Sequence, residues 1–391
     1  MAFNLLKYFQ KNFTKKNSQA SGNQVGKLAP LDSVLPLVPQ EAALYSEILA
    51  SGYFDAAWYR LAYQKEIEFP HDLLFDYVRA GIQNGRDPSP YFNTVLYRRE
   101  FDVAAEQALV HFLRSGKELA AGAYRNKEVL LSAQRSFTQR TQTQLVKDRR
   151  TAARPFAVYL QCGSGAEWEY WTSEAGRSWD LFINHYDSSF VGRIPCEVEF
   201  HQTGAIPGTK FTSFFAVLEN HREMIEPYEY ILLVDDDILF DPGDIDRLFE
   251  IVSRHGWEMA QASLSQDSHG SFAVFKNKEA GGWRSVNGVE IMMPVYSRRI
   301  LDIVHDLIGL SISGWGFDAA LSMVALERGF KSMVIDDIIA RHTQPINADI
   351  GKYYQMLHQA NIYPEIEFTH LQKEYGYTKP LFYDRGTDEQ E

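Results

Sequence analysis

The sequence predicts an α/β protein with a mixed, mainly parallel sheet flanked by helices, preceded by a small all-α repeat domain. Three observations support this prediction. Short apolar runs alternate with helical patterns from residue 154 onward, as is typical of α/β folds. A motif of roughly forty residues occurs twice before that point. One strand-like run ends in three consecutive acids, and parallel sheets bind ligands at such strand ends.

Length, charge and cysteine content limit the function. The chain has 391 residues and a formal net charge of -12, so we expect two domains and no nucleic-acid partner. Cys162 and Cys196 lack metal-binding or redox spacing, which indicates a reducing compartment without disulfides. No apolar stretch has the length of a membrane span and no cleavable leader is recognisable, so we expect a cytoplasmic protein.

The N-terminal segment has two interpretations. Residues 1–16 combine apolar and basic side chains without any acid, so a helix there would suit peripheral contact with the inner face of an anionic membrane. The alternative is a frayed leader that folds onto the body or stays disordered. The sequence is then rich in Ser, Gly, Asn and Pro, and we interpret residues 1–40 as this leader and a flexible linker.

The repeats predict a helical tandem module over residues 41–126. Residues 54–59, Phe-Asp-Ala-Ala-Trp-Tyr, recur at 92–97 as Phe-Asn-Thr-Val-Leu-Tyr. The helix-stopping sequence Gly-Arg-Asp-Pro-Ser-Pro lies between the copies, at 85–90. Protein docking or acceptor recognition competes here with a plain helical spacer. We expect a helical connector over 127–153 and the α/β domain over 154–391.

Six short apolar runs in the α/β domain are strand candidates. They are Phe156 to Leu160, Leu181 to Asn184, Val198 to Phe200, Tyr230 to Val234, Met259 to Ala262 and Val289 to Val295.

The three acids after Val234 predict a divalent-cation site. Side chains alternate faces along a strand, so Asp235 and Asp237 would point together and Asp236 away from them. Oxygen ligands of this kind suit Mg²⁺ or Mn²⁺, which then bridge to substrate phosphates. A phosphatase of the haloacid-dehalogenase type would have Gly-Thr after its acids, whereas Ile238 and Leu239 follow here.

Two later segments carry further candidates. In Ser-Gly-Trp-Gly-Phe-Asp, residues 313–318, Trp315 offers a flat surface for a sugar ring, and Asp318 is either a base or only the cap of a helix. His342 follows another strand-like run, and is either structural or a metal ligand that completes an Asp-based site.

The order of these motifs, Asp-x-Asp, then Gly-Trp-Gly-x-Asp, then His, resembles glycosyltransferases of the GT-A fold. In that family the Asp-x-Asp motif holds a metal and the diphosphate of a nucleotide-sugar donor. The resemblance implies that Asp235, Asp237 and His342 bind Mn²⁺ or Mg²⁺. It implies that Asp318 is the base that deprotonates an acceptor hydroxyl, with Glu290 as its rival. The implied donor-binding residues are Asp187, Lys210, Asp235, Asp236 and Trp315. Lys210 is alternatively an ordinary solvated lysine.

Residues 180–346 also resemble a plant and bacterial family of unknown function considered glycosyltransferase-like. The similar stretches are His185-Tyr186-Asp187, Thr209-Lys210-Phe211, Tyr228 to Ile231, Val289 to Arg298 and Gly314 to Asp318. Asp236 stands where that family usually has Glu. Residues 46–126 resemble repeats found beside bacterial glycosyltransferases.

Together these resemblances imply a metal-dependent glycosyltransferase. It would move a sugar to a hydroxyl of a saccharide or glycolipid acceptor, with inversion, in surface polysaccharide biosynthesis. Two alternatives remain. One is a sugar-nucleotide-binding or scaffold protein without turnover, and the other is a metal-dependent phosphatase or nucleotidyltransferase.

Overall fold

The computed structural model describes residues 36–115, 120–151, 154–163, 166, 168–172, 176–270, 272–345 and 351–386. The predicted leader, residues 1–16, and most of the linker lie outside the described residues. The chain divides into two compact units, one up to Ala50 and one from Ser51 onward. The described part of the first unit is mostly helix α1, Pro39–Ser51, in which Glu41 accepts a hydrogen bond from the Val38 amide at 2.9 Å.

The second unit contains the remaining helices and all the described strands. Its α-helices are α2 (Ala56–Tyr63), α3 (Leu73–Asp76, continued by the π-helical turn Tyr77–Gly81), α4 (Thr94–Phe101), α5 (Ala105–Ser115), α6 (Lys127–Arg140), α7 (Trp168–Trp171), α8 (Lys210–Asn220), α9 (Arg222–Ile225), α10 (Asp244–His255), α11 (Leu301–Ile308), α12 (Phe317–Glu327), α13 (Lys352–Gln359) and α14 (Pro364–Tyr375). Its strands are β1 (Thr143–Asp148), β2 (Phe156–Cys162), β3 (Trp179–His185), β4 (Val198–Gln202), β5 (Tyr230–Val234), β6 (Ile238–Leu239), β7 (Met259–Leu264), β8 (Trp283–Val286), β9 (Val295–Ser297), β10 (Ser332–His342) and β11 (Asp384–Gly386).

The strands form one mixed sheet in the order β1-β4-β3-β2-β5-β9-β7-β10-β8-β11, with β6 paired to β10. Strands β4, β3, β2 and β5 run parallel to one another, as do β7 and β10. The short β9 joins these two parallel groups through antiparallel pairing on both sides. The fold is therefore mixed α/β, as the sequence predicts.

The core explains why the central strands are continuously apolar. All five residues of β5 are buried, since parallel strands covered on both faces lack a solvent side. The helix α10 buries Leu248, Phe249 and Val252, and Phe249 stacks on Phe156 of β2 at 4.7 Å between ring centroids. Burial of each such side chain contributes about 1.5–3 kcal/mol, so this packing holds β2 and β5 firmly.

The two repeat copies begin in the same way. Asp55 accepts a hydrogen bond from the Trp58 amide at the start of α2, and Asn93 accepts one from the Leu96 amide at the start of α4. Such caps satisfy amides at a helix start that lack partners within the helix. The sequence between the copies is fixed by Arg86, which is buried and pairs with Asp76 at 3.0 Å. Both copies of the sequence motif therefore begin a helix with an equivalent cap.

Two segments differ from the sequence-based prediction. Residues 143–148, predicted as part of a helical connector, form β1 at the sheet edge, antiparallel to β4. The prediction of a strand from Val289 to Val295 is wrong for most of that range. There β9 begins only at Val295, and the residues before it form a turn in which the amide of Glu290 bonds the side chain of Gln261, at 2.8 Å, instead of a neighbouring strand. No helix among the described residues is long and apolar enough to span a membrane.

Candidate active site

One cavity, with a volume of about 1090 Å³, lies beyond the carboxyl end of β5. Parallel strands offer their ligands at this edge. Eight of the predicted site residues line the cavity: Lys210, Asp235, Asp236, Asp237, Glu290, Trp315, Asp318 and His342. Residues more than a hundred positions apart in the sequence are therefore brought to a common space.

The three acids lie in a turn between β5 and β6. The strand ends at Val234, and the Ile238 amide bonds the carbonyl of Asp235 at 3.3 Å to close the turn. Strand alternation therefore does not apply to these residues. All three acids line the cavity.

Asp236 has its own partner. The hydroxyl of Tyr186, the first residue after β3, donates a hydrogen bond to it at 2.7 Å. Burial raises the pKa of Asp236 to about 6, against the effect of that hydrogen bond, and the charges of Asp235 and Asp237 raise it further. Tyr186 has no predicted role in the sequence, although its place directly after a central strand is a usable signal.

Asp235 is neutralised by Lys210. The Lys210 ammonium group is 2.5 Å from the Asp235 carboxylate, and it also donates to the carbonyls of Ile291 and Met292. Lys210 is the first residue of α8, whose N-cap Thr209 accepts a hydrogen bond from the Thr212 amide. The lysine is therefore not an ordinary solvated side chain, and it places a positive charge beside the acidic turn.

Asp237 is engaged by His342. The short strand β6 pairs with the end of β10 and sets His342 opposite Ile238, next to Asp237. The Nε2 atom of His342 is 3.0 Å from a carboxylate oxygen of Asp237. Burial alone would lower the pKa of His342, but the hydrogen bond and the charge of Asp237 outweigh burial and raise it.

The atom types of this group suit a divalent cation. The Nδ1 atom of His342 lies 2.6 Å from the carbonyl oxygen of His269, and metal-binding histidines commonly donate their other ring N–H in this way. Carboxylate oxygens complete a donor set that fits Mn²⁺ or Mg²⁺. In the described residues, however, no three His, Cys, Asp or Glu side chains are arranged as a ready metal site. Lys210 and His342 engage the two acids instead.

The segment at 313–318 forms a tight loop at the start of α12. Gly314 and Gly316 have φ angles of +85° and +79°, a backbone region that favours glycine. A Cβ atom on Gly314 would lie 2.5 Å from the ring of Phe211. Gly316 occupies the N-cap position, and Asp318 lies within the first turn of α12. The interpretation of Asp318 as the cap of the helix is therefore wrong.

A buried carboxylate on α14 holds this loop. Glu367 is fully buried and accepts hydrogen bonds from the amides of Ile312 and Ser313, each at 2.8 Å. The side-chain amide of Gln134 on α6 donates to the same carboxylate at 2.6 Å. The clamp ties the loop that carries Trp315 to two helices. Nothing in the sequence pattern marked Glu367.

Asp318 and Glu290 are two further carboxyl groups on the cavity wall with strongly raised pKa values. Burial raises the pKa of Asp318 to about 7, against hydrogen bonds from backbone amides. Burial, followed by the charge of Asp318, raises the pKa of Glu290 to about 8. Glu290 is 3% exposed, and its Oε1 atom has no hydrogen-bond partner among the described residues. Strongly shifted groups in a cleft are typical of catalytic sites.

Asp187 lies elsewhere. It is not part of the cavity wall, and its exposed carboxylate accepts hydrogen bonds from the amide and hydroxyl of Ser189. Those bonds lower the pKa of Asp187. Conversely, the aromatic pair Tyr353 and Tyr354 on α13 lines the cavity and was not predicted.

Comparisons with known proteins add little to this geometry. No protein-family description matches the sequence. No curated protein matches it either. Among solved structures, the chain is similar to residues 1–349 of S. aureus TarS, crystallised in complex with UDP-GlcNAc. The identity is 10% and the TM-score 0.33, over 56% of this chain and 70% of that chain. This likeness is too low to establish a shared fold.

Proposed function

We propose that the protein is a metal-dependent glycosyltransferase of the GT-A type, which moves a sugar from a nucleotide-sugar donor to a hydroxyl of a saccharide or glycolipid. One observation carries the proposal. A single cavity at the carboxyl end of β5 contains the acidic turn, His342 and two buried carboxyl groups with raised pKa values. In this proposal the acidic turn binds the phosphates of the donor, and one of the buried carboxyl groups accepts a proton.

The donor end would be the acidic turn. Asp235, Asp237 and His342 would hold Mn²⁺ or Mg²⁺, and Lys210 stands beside them. A cation bound there stabilises the negative charge that develops on the leaving nucleoside diphosphate. Lys210 adds a positive charge at the same end, where each favourable electrostatic contact is strengthened by partial burial.

The base would be Asp318. At neutral pH about half of a group with a pKa near 7 is ionised, which suits proton abstraction. Glu290, with a pKa of about 8, stays mostly protonated at that pH and is better suited to donate a hydrogen bond to a substrate oxygen. Asp318 is therefore the preferred base, and Glu290 has a supporting role.

The reaction would be a single displacement. Asp318 takes the proton of the acceptor hydroxyl while the acceptor oxygen bonds to the anomeric carbon. The bond from that carbon to the diphosphate oxygen breaks, and the leaving diphosphate keeps the electron pair. Attack from the face opposite the leaving group inverts the anomeric centre. We place this reaction in surface polysaccharide biosynthesis, an assignment that rests on the sequence resemblances alone.

The test is a screen of nucleotide-sugars. Thermal shift would be recorded with UDP-, GDP-, ADP- and dTDP-sugars, each with Mn²⁺, with Mg²⁺ and with a chelator. For the donor that stabilises the protein, release of nucleoside diphosphate would then be measured with and without saccharide acceptors. We expect metal-dependent binding and acceptor-dependent release. A phosphatase would release product without an acceptor, and a scaffold would bind without turnover. Absence of any metal-dependent binding or turnover would contradict the proposal.

A further inference from the structure

The cavity is at the upper limit for a small-ligand site. Sites for single small ligands have volumes of roughly 300–1,000 Å³. This cavity has a volume of about 1090 Å³, and its wall extends from the acidic turn to the C-terminal helices and the repeat module. The cavity therefore has one end at the acidic turn and another at α14 and the second repeat.

The wall remote from the acidic turn comes from α14 and the second repeat. Glu365, Phe368 and Thr369 on α14 line the cavity, and so does Asn93 at the start of α4. The hydroxyl of Thr369 donates a hydrogen bond to the carbonyl of Pro90 at 2.7 Å, which fixes α14 to the loop between the repeats. The repeat module is thus part of the cavity wall.

Aromatic side chains line the cavity between the acidic turn and the wall formed by α14 and the second repeat. Trp315 meets Tyr354 edge to face, with ring centroids 6.0 Å apart and an interplanar angle of 78°. Burial raises the pKa of Tyr354, and the charges of Glu365 and Asp235 raise it further, so Tyr354 is within electrostatic range of both ends. Glu365 acts in the same way on Asp87 of the repeat module, whose pKa burial raises to about 7.

At the end of the cavity formed by α14 and the second repeat, Glu365 has a polar atom without a partner among the described residues. One oxygen of its carboxylate is buried and has no hydrogen-bond partner among the residues that the structure describes. A buried acceptor without a partner costs free energy unless a ligand satisfies it. A sugar has hydroxyl donors on its edges and C–H groups on its faces. Carboxylate and amide groups beside aromatic rings match both features.

We propose that this end of the cavity binds the acceptor saccharide and that the repeat module forms one of its walls. Trp315 and Tyr354 provide the surface against the sugar ring, and Glu365 accepts a hydrogen bond from a sugar hydroxyl. The module then acts in substrate binding. This inference rests on the proposed function for the assignment of the acidic turn to the donor.

The test uses binding of saccharides to the full chain. An array of immobilised oligosaccharides identifies a bound probe, whose affinity is then measured for Glu365→Gln, Tyr354→Ala and Tyr354→Phe. Glu374→Gln is the matched control, because Glu374 lies on the same helix but pairs with Lys127 at 2.7 Å and does not line the cavity. We expect roughly tenfold weaker binding for Glu365→Gln and Tyr354→Ala, and a change below twofold for Glu374→Gln.

The outcomes separate this inference from the proposed function. Asp237→Ala should retain saccharide binding, since the acidic turn belongs to the donor end. A wild-type protein that binds saccharide but shows no metal-dependent donor binding would contradict the proposed function and leave this inference standing. The inference is overturned if no oligosaccharide binds, or if Glu365→Gln and Tyr354→Ala, with wild-type thermal stability, bind the probe as the wild type does.

Discussion

Asp237 and His342 are 105 positions apart in the sequence, yet Nε2 of the histidine is 3.0 Å from a carboxylate oxygen of the aspartate. The pairing of β6 with β10 produces this contact, because it sets Ile238 opposite His342. The backbone reinforces it, since the Thr343 amide donates to the carbonyl of Asp237 at 3.0 Å. The position of the histidine beside the acidic turn is therefore a property of the sheet.

The first prediction concerns His342. The variant His342→Gln should weaken metal-dependent donor binding by roughly 10–100-fold, because it replaces the imidazole that faces Asp237. Isothermal titration with Mn²⁺ and the donor found by the screen would measure the change. His305→Gln, on α11 and outside the cavity wall, is the control. Equal affinities for both variants would remove His342 from the donor site.

The second prediction concerns pH and stability. Burial raises the pKa of Glu290 from 4.5 to about 8, so the folded state holds a proton that the unfolded state releases between these values. This group's contribution to stability is complete below pH 4.5 and is lost as the pH rises to 8. Glu290→Gln should therefore have little effect at pH 4 and should increase the free energy of unfolding at pH 9, by up to about 5 kcal/mol.

Urea denaturation at the two pH values measures this effect. The control is Glu327→Gln, because the Glu327 side chain is exposed and the substitution should leave the pH dependence unchanged. A Glu290→Gln variant that is less stable than the wild type at pH 9 would show that the carboxylate is favourably bound in the folded state, contrary to this account.

The third prediction concerns the hydrogen bonds by which Glu367 holds the loop at 313–318. Glutamine at position 367 has one oxygen where the carboxylate has two, so Glu367→Gln leaves the amide of Ile312 or Ser313 without its partner. We expect a loss of about 1–3 kcal/mol in the free energy of unfolding. Glu226→Gln, which breaks an exposed pair with Arg222, should cost less than about 0.5 kcal/mol. Similar urea midpoints for the two variants would contradict the clamp.

The fourth prediction concerns the glycine at the centre of that loop. Alanine at Gly314 would be strained by the φ of +85° and would also collide with Phe211, whose ring lies 2.5 Å from the new Cβ atom. Gly329 has a similar φ of +68°, but no atom lies within 4 Å of its Cβ position. Gly314→Ala should therefore be less stable than Gly329→Ala by more than about 1 kcal/mol in urea denaturation. Equal stabilities of the two variants would show that the loop accommodates the methyl group, contrary to this prediction.

The sequence predicts the elements that carry their own local signal. Tyr230 to Val234 is a continuous apolar run, as expected of a strand covered on both faces, and five of the six strand candidates correspond to observed strands. The repeat copies were recognisable because Asp55 and Asn93 cap equivalent helices. Eight of the predicted site residues share one cavity wall because β5, α8, α12 and β10 end or begin there.

The remaining features depend on contacts between distant residues. Asp236 lies in a turn that is closed by the hydrogen bond from the Ile238 amide to the Asp235 carbonyl. The alternation of side chains along a strand does not apply to such a turn. Strand β1 alternates between half-buried and exposed residues and gains its pairing only from β4. Glu367 reaches Ile312 across 55 positions, and an acid within an amphipathic helix resembles any solvated glutamate in the sequence. Such contacts leave no periodic pattern to detect.

Donor titration into two variants tests the central claim most directly. With Mn²⁺ present, calorimetry would compare Asp237→Ala and Asp318→Ala with the wild type. The account predicts that Asp237→Ala loses donor binding, because its carboxylate belongs to the phosphate end. Asp318→Ala should bind the donor as the wild type does while losing turnover, because its carboxylate acts only on the acceptor proton. Tight donor binding by Asp237→Ala would contradict the metal assignment, and an active Asp318→Ala would transfer the role of base to Glu290.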